Sequence, residues 1–553
     1  MAICNERYAI CDSRYAIRDT RFAICDMRFA ICDMRFAIRD MRYAIRDTRF
    51  AIRDTRFAIC DMRFAICDMR FAIRDMRYAI RDTRFAICDT RYAIHEWRNR
   101  MNTEPFDLLL IGGLVVTGEG IRRADVGVRG EKIAAVEPDL RAHPARETVD
   151  VTGLLVLPGV IDVHIHPVYV DDVEACSRVA AYGGTTTVLH FAYARTGESL
   201  LEQVERMLKD GQARSRLDFS LHGGLFEAPR QVSEIPRVME LGVRTFKFFL
   251  AYVKQGWYTD DYHLLKAMDI LAERGGMAMV HAENGGGIDY LEDKLMRGPD
   301  ARRFFNASHP PALEEEAIFR AICMAEVAGC PLYIAHVTAA RSLRPIRQAR
   351  AEGRPVFAET CPQYLTLTQE ILEERGALAK IGPPIRSAED RIALWQALAD
   401  GILSVVSSDH APKKKDPWGD FLEQPYGAPQ AETVLPIVHN EGVNRGRISL
   451  VRLVQVLSEN PARIFGLYPK KGTIAVGSDA DVVVFDPRRE FTIRAENQHS
   501  AAGYTLYEGR TVLGWPVMSF QRGHRVLWEG EVVAEPGAGR FLPLLETPPM
   551  SPL

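Results

Sequence analysis

Gly159-Val-Ile-Asp-Val-His164-Ile-His166 is a short apolar run that ends in two histidines. Residues two apart along a strand project to the same side, so both imidazoles can face one point. Apolar runs recur downstream, and strands are predicted at Thr185–Phe191, Arg244–Leu250, Met277–His281, Leu332–His336, Val356–Glu359 and Leu403–Ser407. Helical stretches such as Ala312–Ala328 and Ser342–Glu352 lie between them. A β-then-α alternation sustained over roughly 300 residues predicts an α/β fold, a (β/α)8 TIM-type barrel, here across residues 158–468.

Both flanks of this region change character. Before it, Leu108–Ile111, Asp125–Arg129 and Lys132–Val136 read as short strands separated by glycines and charges, and Leu154-Leu-Val-Leu-Pro-Gly closes the segment. After Pro469 short strands return at Val482-Val-Val-Phe, Glu490–Arg494 and Gly523–Trp528. Residues 101–157 and 469–553 are expected to join into one small β-sandwich beside the barrel. Residues 1–100 are a different object. Ala-Ile recurs every seven residues from Ala2 to Ala93, in a unit Arg-(Phe/Tyr)-Ala-Ile-(Cys/Arg)-Asp-(Met/Thr). A coiled coil needs apolar residues three and four apart, whereas Phe-Ala-Ile are contiguous here. The repeat reads as the imprint of tandem DNA, an extension without function; a role in self-association is the alternative. Met101 follows it directly.

Composition narrows the function classes. A formal net charge of −3 gives no basic surface for nucleic acid or membrane. No apolar run is long enough to span a bilayer, and the N-terminus lacks a secretory pattern. Seven of the eleven cysteines lie in the repeat, and Cys176, Cys323, Cys330 and Cys361 match neither a disulfide framework nor a zinc ribbon. A reducing cytoplasm fits these features.

The chemistry lies at the strand ends. His281 closes Met277-Ala-Met-Val, His336 closes Leu332-Tyr-Ile-Ala, and Asp409 follows Leu403-Ser-Val-Val-Ser-Ser. Barrel active sites form at the C-terminal ends of strands, where all of these residues would gather with His164 and His166. Lys247 stands within the apolar strand Thr245-Phe-Lys-Phe-Phe. Burial lowers the pKa of a lysine, and a neutral amine can take up carbon dioxide to give a carbamate able to bridge two cations. Snorkelling from a strand edge is the plain alternative.

From about Phe106 to Glu529 the chain resembles the cyclic amidohydrolases, most like hydantoinase and dihydropyrimidinase. The matching stretches are Pro158-Gly-Val-Ile-Asp-Val-His-Ile-His, Gly183-Gly-Thr-Thr-Thr, Phe246-Lys-Phe-Phe-Leu-Ala-Tyr, Val280-His-Ala-Glu-Asn, Glu359-Thr-Cys-Pro-Gln-Tyr-Leu, Gly382-Pro-Pro-Ile-Arg, Ser408-Asp-His-Ala-Pro and Asn460-Pro-Ala-Arg-Ile-Phe-Gly-Leu. The resemblance implies a binuclear centre. His164, His166 and Asp409 would hold one zinc, His281 and His336 the second, and carboxylated Lys247 would bridge them. It also implies that Asp409 carries the proton, that Tyr252 holds the developing oxyanion, and that a hydantoin or dihydropyrimidine ring opens to an N-carbamoyl product. A small cyclic amide or ureide as substrate and a homo-oligomer of two or four chains complete what it implies.

The stretches that would touch substrate depart from the family. The loop after His166 is Pro167-Val-Tyr-Val-Asp-Asp, Tyr426 stands where an asparagine is usual, Gly382 replaces a serine, and His190 replaces an aspartate. Tyr252, Gly382 and Tyr426 are the expected substrate contacts. An allantoinase- or dihydroorotase-like enzyme, or another cyclic imide hydrolase, is the alternative. Glu432-Thr-Val-Leu-Pro favours it, but no arginine follows His166 to bind a carboxylate. A non-catalytic scaffold of the same fold is the second alternative, opposed by the presence of all six ligand residues.

Overall fold

Eight parallel strands form the central sheet: Val160–Ile165, Thr185–Ala194, Asp218–Leu225, Thr245–Phe249, Met277–His281, Leu332–Ile334, Val356–Thr360 and Val405–Val406. Each is hydrogen-bonded to the next in chain order, as a singly wound barrel requires. The computed structural model describes residues 104–544. The seven-residue repeat, with the reading of residues 1–100 as an extension without function, lies outside the described residues.

The ring closes through side-by-side backbone rather than through full strands. His166 N donates to His410 O at 3.0 Å and His410 N donates to His164 O at 3.1 Å, just beyond the short eighth strand. These two bonds bring the histidine pair of the first strand against Asp409. The third strand, Asp218–Leu225, escaped the sequence reading. Ser220, His222, Gly223 and Gly224 interrupt its apolar run, and a glycine in a strand weakens the pattern.

The barrel is filled from within by Ile161, Val163, Leu189, Phe191, Met279, Tyr333 and Phe357. The outer faces of the same strands, with Val188, Phe246, Val280 and Ala358, pack against the helices. Helix ends carry the expected signals. Ser387 and Asp390 form a capping box at Ala388–Ala399, and Gly329, at φ 65°, ends Pro311–Ala328 in the left-handed conformation that a side chain disfavours.

The flanks join. Leu155–Pro158, from before the barrel, pairs with Val482–Ile493, from after it, within a seven-stranded sheet. A four-stranded sheet containing Phe106–Ile111 and Asp125–Arg129 shares a core with it, through Leu108, Val126, Val156, Val482 and Phe520. The two runs expected at Val482 and Glu490 are one strand. Its register with Arg510–Gln521 slips between Asp486 and Glu490, where Pro487 can offer no ladder hydrogen bond. Buried Lys471 clamps flank to barrel, with its ammonium 2.6 Å from Asp218, 2.7 Å from Asp481 and 3.0 Å from Asp479. Asp218 begins the third strand, so this ion cluster sits at the end of the barrel away from the histidines.

Candidate metal centre and substrate cavity

All nine residues singled out from the sequence line one cavity at the C-terminal ends of the strands: His164, His166, Lys247, Tyr252, His281, His336, Gly382, Asp409 and Tyr426. Strand geometry explains the convergence. His164 and His166 leave the first strand two residues apart, Lys247 takes the inward side of the fourth, and His281 is the last residue of the fifth. His336 and Asp409 lie just past the sixth and eighth strands, at φ 37° and 51°, and Tyr252 follows the fourth at φ 62°. Positive φ costs a non-glycine residue energy, and the fold spends it here on aiming three side chains into one space.

His164, His166 and Asp409 offer one ligand atom each within 4.8 Å of one another. Asp409 Oδ1 stands 3.2 Å from His164 Nε2 and 3.1 Å from His166 Nε2. The second pair lies alongside, with the His281 and His336 ring centroids 4.5 Å apart and those of His164 and His336 5.4 Å apart. The far nitrogens are fixed by partners. His164 Nδ1 bonds Glu359 Oε1, His166 Nδ1 meets Tyr193 Oη at 3.0 Å, and His281 Nε2 meets Glu283 Oε2 at 2.8 Å. A carboxylate only accepts, so Glu359 and Glu283 select the tautomers that turn His164 Nε2 and His281 Nδ1 to the cavity as lone-pair donors. Burial, reinforced by Lys247, holds His164, His166 and His336 well below the ordinary histidine range, which keeps them neutral.

Two buried polar atoms of this cavity have no hydrogen-bond partner among the described residues, Lys247 Nζ and His336 Nδ1. Lys247 is 1% exposed, and its ammonium lies 5.6 Å and 5.8 Å from the ring centroids of Phe191 and Phe249. Burial pulls its pKa down to about 8. Burial also pushes Asp409 up to about 7. Orphaned nitrogens facing neutral histidines and a carboxylate fit a site for cations, because buried polar groups are otherwise paired.

Tyr252 packs over His281, ring centroids 4.9 Å apart. Burial holds its phenol well above the ordinary tyrosine range, so it remains a donor. Tyr426 and Gly382 form a matched pair. A Cβ on Gly382 would stand 3.0 Å from Tyr252 Oη and 3.1 Å from the Tyr426 ring, so the glycine leaves room for the larger side chain. Tyr426 Oη donates to Glu292 at 3.0 Å.

Four groups at the site carried no expected role. Glu359 and Glu283 lie inside the quoted motifs, Tyr193 lies in the second strand, and Lys413 follows Asp409-His-Ala-Pro. Glu359 also accepts from Tyr333 Oη at 2.7 Å, Ser407 Oγ at 2.6 Å and His336 N at 3.2 Å. Its signal in the sequence was a carboxylate at the end of an apolar strand, one step from where ligands gather. His190, by contrast, is buried with no hydrogen-bond partner among the described residues on either ring nitrogen, and burial lowers it to about 3.

A (β/α)8 barrel with buried histidines and a carboxylate gathered at its C-terminal face defines the class of metal-dependent hydrolases. The Amidohydrolase family model matches residues 155–523. The D-hydantoinase of Ralstonia pickettii is 40% identical over 455 residues, covering 79% of this chain and 98% of that protein. The D-hydantoinase of Rhizobium radiobacter is 39% identical over 454 residues, covering 79% and 98%. The crystal structure of dihydropyrimidinase from Brevibacillus agri NCHU1002 superposes with a TM-score of 0.75 at 36% identity, covering 79% of this chain and 98% of that one. The chain belongs to the amidohydrolase family.

Proposed function

We propose that this protein opens a cyclic amide or ureide ring, of the hydantoin or dihydropyrimidine type, to an N-carbamoyl product. The observation that carries the reading is Lys247, whose amine is buried without a partner in the wall where four histidines and Asp409 converge. In the neutral amine, the Nζ lone pair forms a bond to the carbon of carbon dioxide and one proton leaves. The resulting carbamate offers two oxygens between the two histidine pairs. His164, His166 and Asp409 would hold one divalent cation and His281 and His336 the other, and nitrogen and carboxylate donors of this kind suit zinc. Bound there, the ions supply Lewis acidity to the ring carbonyl and acidify water.

The protein's own groups do the rest. Asp409 takes the proton of the attacking water and returns it to the leaving ring nitrogen. Tyr252 donates to the oxyanion that develops on the attacked carbonyl. Tyr426 and the backbone at Gly382 border the ring. The likeness to hydantoinases over most of the chain supports this reading, as does the presence of all six ligand residues. The four cysteines among the described residues are free, in keeping with a reducing cytoplasm, and no described helix is long and apolar enough to cross a membrane. An assembly of two or four chains completes the proposal, and sizing of the purified protein tests it.

The deciding experiment is a hydrolysis screen of zinc-loaded protein over hydantoins, dihydrouracil, allantoin, dihydroorotate and cyclic imides. Opening of hydantoins or dihydrouracil is expected. Turnover confined to allantoin, dihydroorotate or imides would move the substrate class, and absence of any metal-dependent hydrolysis would leave a scaffold.

A further inference from the structure

Lys413 lines the same cavity as the candidate ligands, half-buried beside Tyr169, with its ammonium 4.0 Å from that ring's centroid. Its neighbours in the run Lys413-Lys-Lys are employed by the fold. Lys414 Nζ donates to Ala502 O at 3.3 Å, and Lys415 Nζ to Lys380 O at 2.8 Å. Lys380, nearby, spends its ammonium on the carbonyls of Phe421 and Gln424, 2.7 Å from each. Among the described residues, no hydrogen bond or ion pair joins the Lys413 ammonium to another side chain or carbonyl. The half-buried ammonium rests on the Tyr169 ring within the field of the Asp409 carboxylate, and its N–H donors stay open to a further anion.

The position says where that partner would come from. Tyr169, which Lys413 covers, sits 6.0 Å from His166, whereas Tyr252, the proposed oxyanion donor, packs on His281. The reacting carbonyl and the Lys413 charge therefore fall to different histidines of the centre. Around the mouth the remaining large side chains are aromatic, Phe226, Trp257 and Tyr426, and Gln255 is neutral. Among the described residues, Lys413 is the one charged group lining the cavity that the proposed metal centre leaves without a task.

We infer that the substrate ring carries a carboxylate on a short substituent and that Lys413 binds it. The inference rests on the ring-opening reading above and narrows it to anionic cyclic ureides. A lysine is a compact point charge suited to a single carboxylate, and such a charge-assisted contact inside a partly dry pocket discriminates strongly against a neutral isostere.

The test uses the full chain loaded with zinc and two substrates of equal size, 5-(carboxymethyl)hydantoin and 5-(carbamoylmethyl)hydantoin. The parent is expected to favour the carboxylate in kcat/KM by about tenfold or more, the worth of a hydrogen bond to a charged group. In Lys413→Met that ratio should fall to about one, and Lys413→Arg should keep most of it, because only the charge is retained. Metal content per chain is measured for each variant. A parent ratio at or below one overturns the inference, as does a ratio that Lys413→Met leaves unchanged. So does loss of metal from Lys413→Met, which would make Lys413 a support of the centre instead. If the parent opens the amide but shows no preference, the carboxylate subsite fails and the hydrolase reading stands. If it opens neither these compounds nor any neutral hydantoin nor dihydrouracil, both fall.

Discussion

Replacing Glu359 by glutamine removes one charge from the innermost support of the proposed metal centre and changes little else. Four donors converge on this carboxylate: His164 Nδ1 and His336 N on Oε1, Tyr333 Oη and Ser407 Oγ on Oε2. The amide of Glu359→Gln has one acceptor oxygen, and the backbone N–H of His336 cannot turn into an acceptor. The oxygen must therefore face His164 and His336, and the NH2 must face the two hydroxyls, which can rotate to accept. The network survives with its charge gone. A hydrogen bond to a charged group is worth about 1.5–3 kcal/mol against about 0.5–1.5 for a neutral pair, so the His164 contact weakens by about 1–1.5 kcal/mol. That is about tenfold in equilibrium terms, and loss of an outer partner of a metal-binding histidine costs about 10- to 100-fold in affinity. The assay is zinc content and turnover of the apo chain across chelator-buffered free zinc, with thermal unfolding of the apo form as a check on folding. Half-occupancy is expected at about 10- to 100-fold higher free zinc than in the parent. An apo form that unfolds as the parent does, with zinc affinity within about twofold of it, well short of that cost, would refute the assignment of Glu359 as the group that orients His164.

Lys247→Ala is expected to bind little metal, and short-chain carboxylic acids should restore part of its turnover; full metal occupancy without added acid would remove Lys247 from the bridge. Asp409→Asn should keep much of its metal yet lose about two to four orders of magnitude in turnover, the usual worth of general acid–base catalysis. His281→Ala should lose metal and activity together, since it is proposed as a ligand only. Turnover of metal-loaded Asp409→Asn within about tenfold of the parent would assign the proton to another group. His190→Leu replaces a buried imidazole that has no partner, and should stabilise the fold by about 1 kcal/mol or more. An earlier urea unfolding midpoint in that variant would contradict this. A chain of residues 101–553 should fold and match the full chain in kcat/KM, and a large loss would give the repeat a function.

The sequence by itself pointed to the candidate ligand residues and the kind of scaffold. Both are local properties: a period of two along a strand places His164 and His166 together, and alternation of apolar strands with helices implies a barrel whose strand ends converge. It did not reveal Asp218–Leu225, whose glycines and polar residues break the apolar pattern, nor the fusion of two predicted runs into Val482–Ile493. Other features belong to closure alone. His410 seals the ring against His164 and His166, Glu359 reaches a histidine 195 positions away, and Gly382 yields its space to Tyr426. Lys413 read as one of three lysines in a row until the fold turned it into the cavity and its neighbours toward carbonyls. Periodicity fixes which face of an element a residue occupies. What that face meets depends on the twist and register of the whole barrel, and only the tertiary structure decided it.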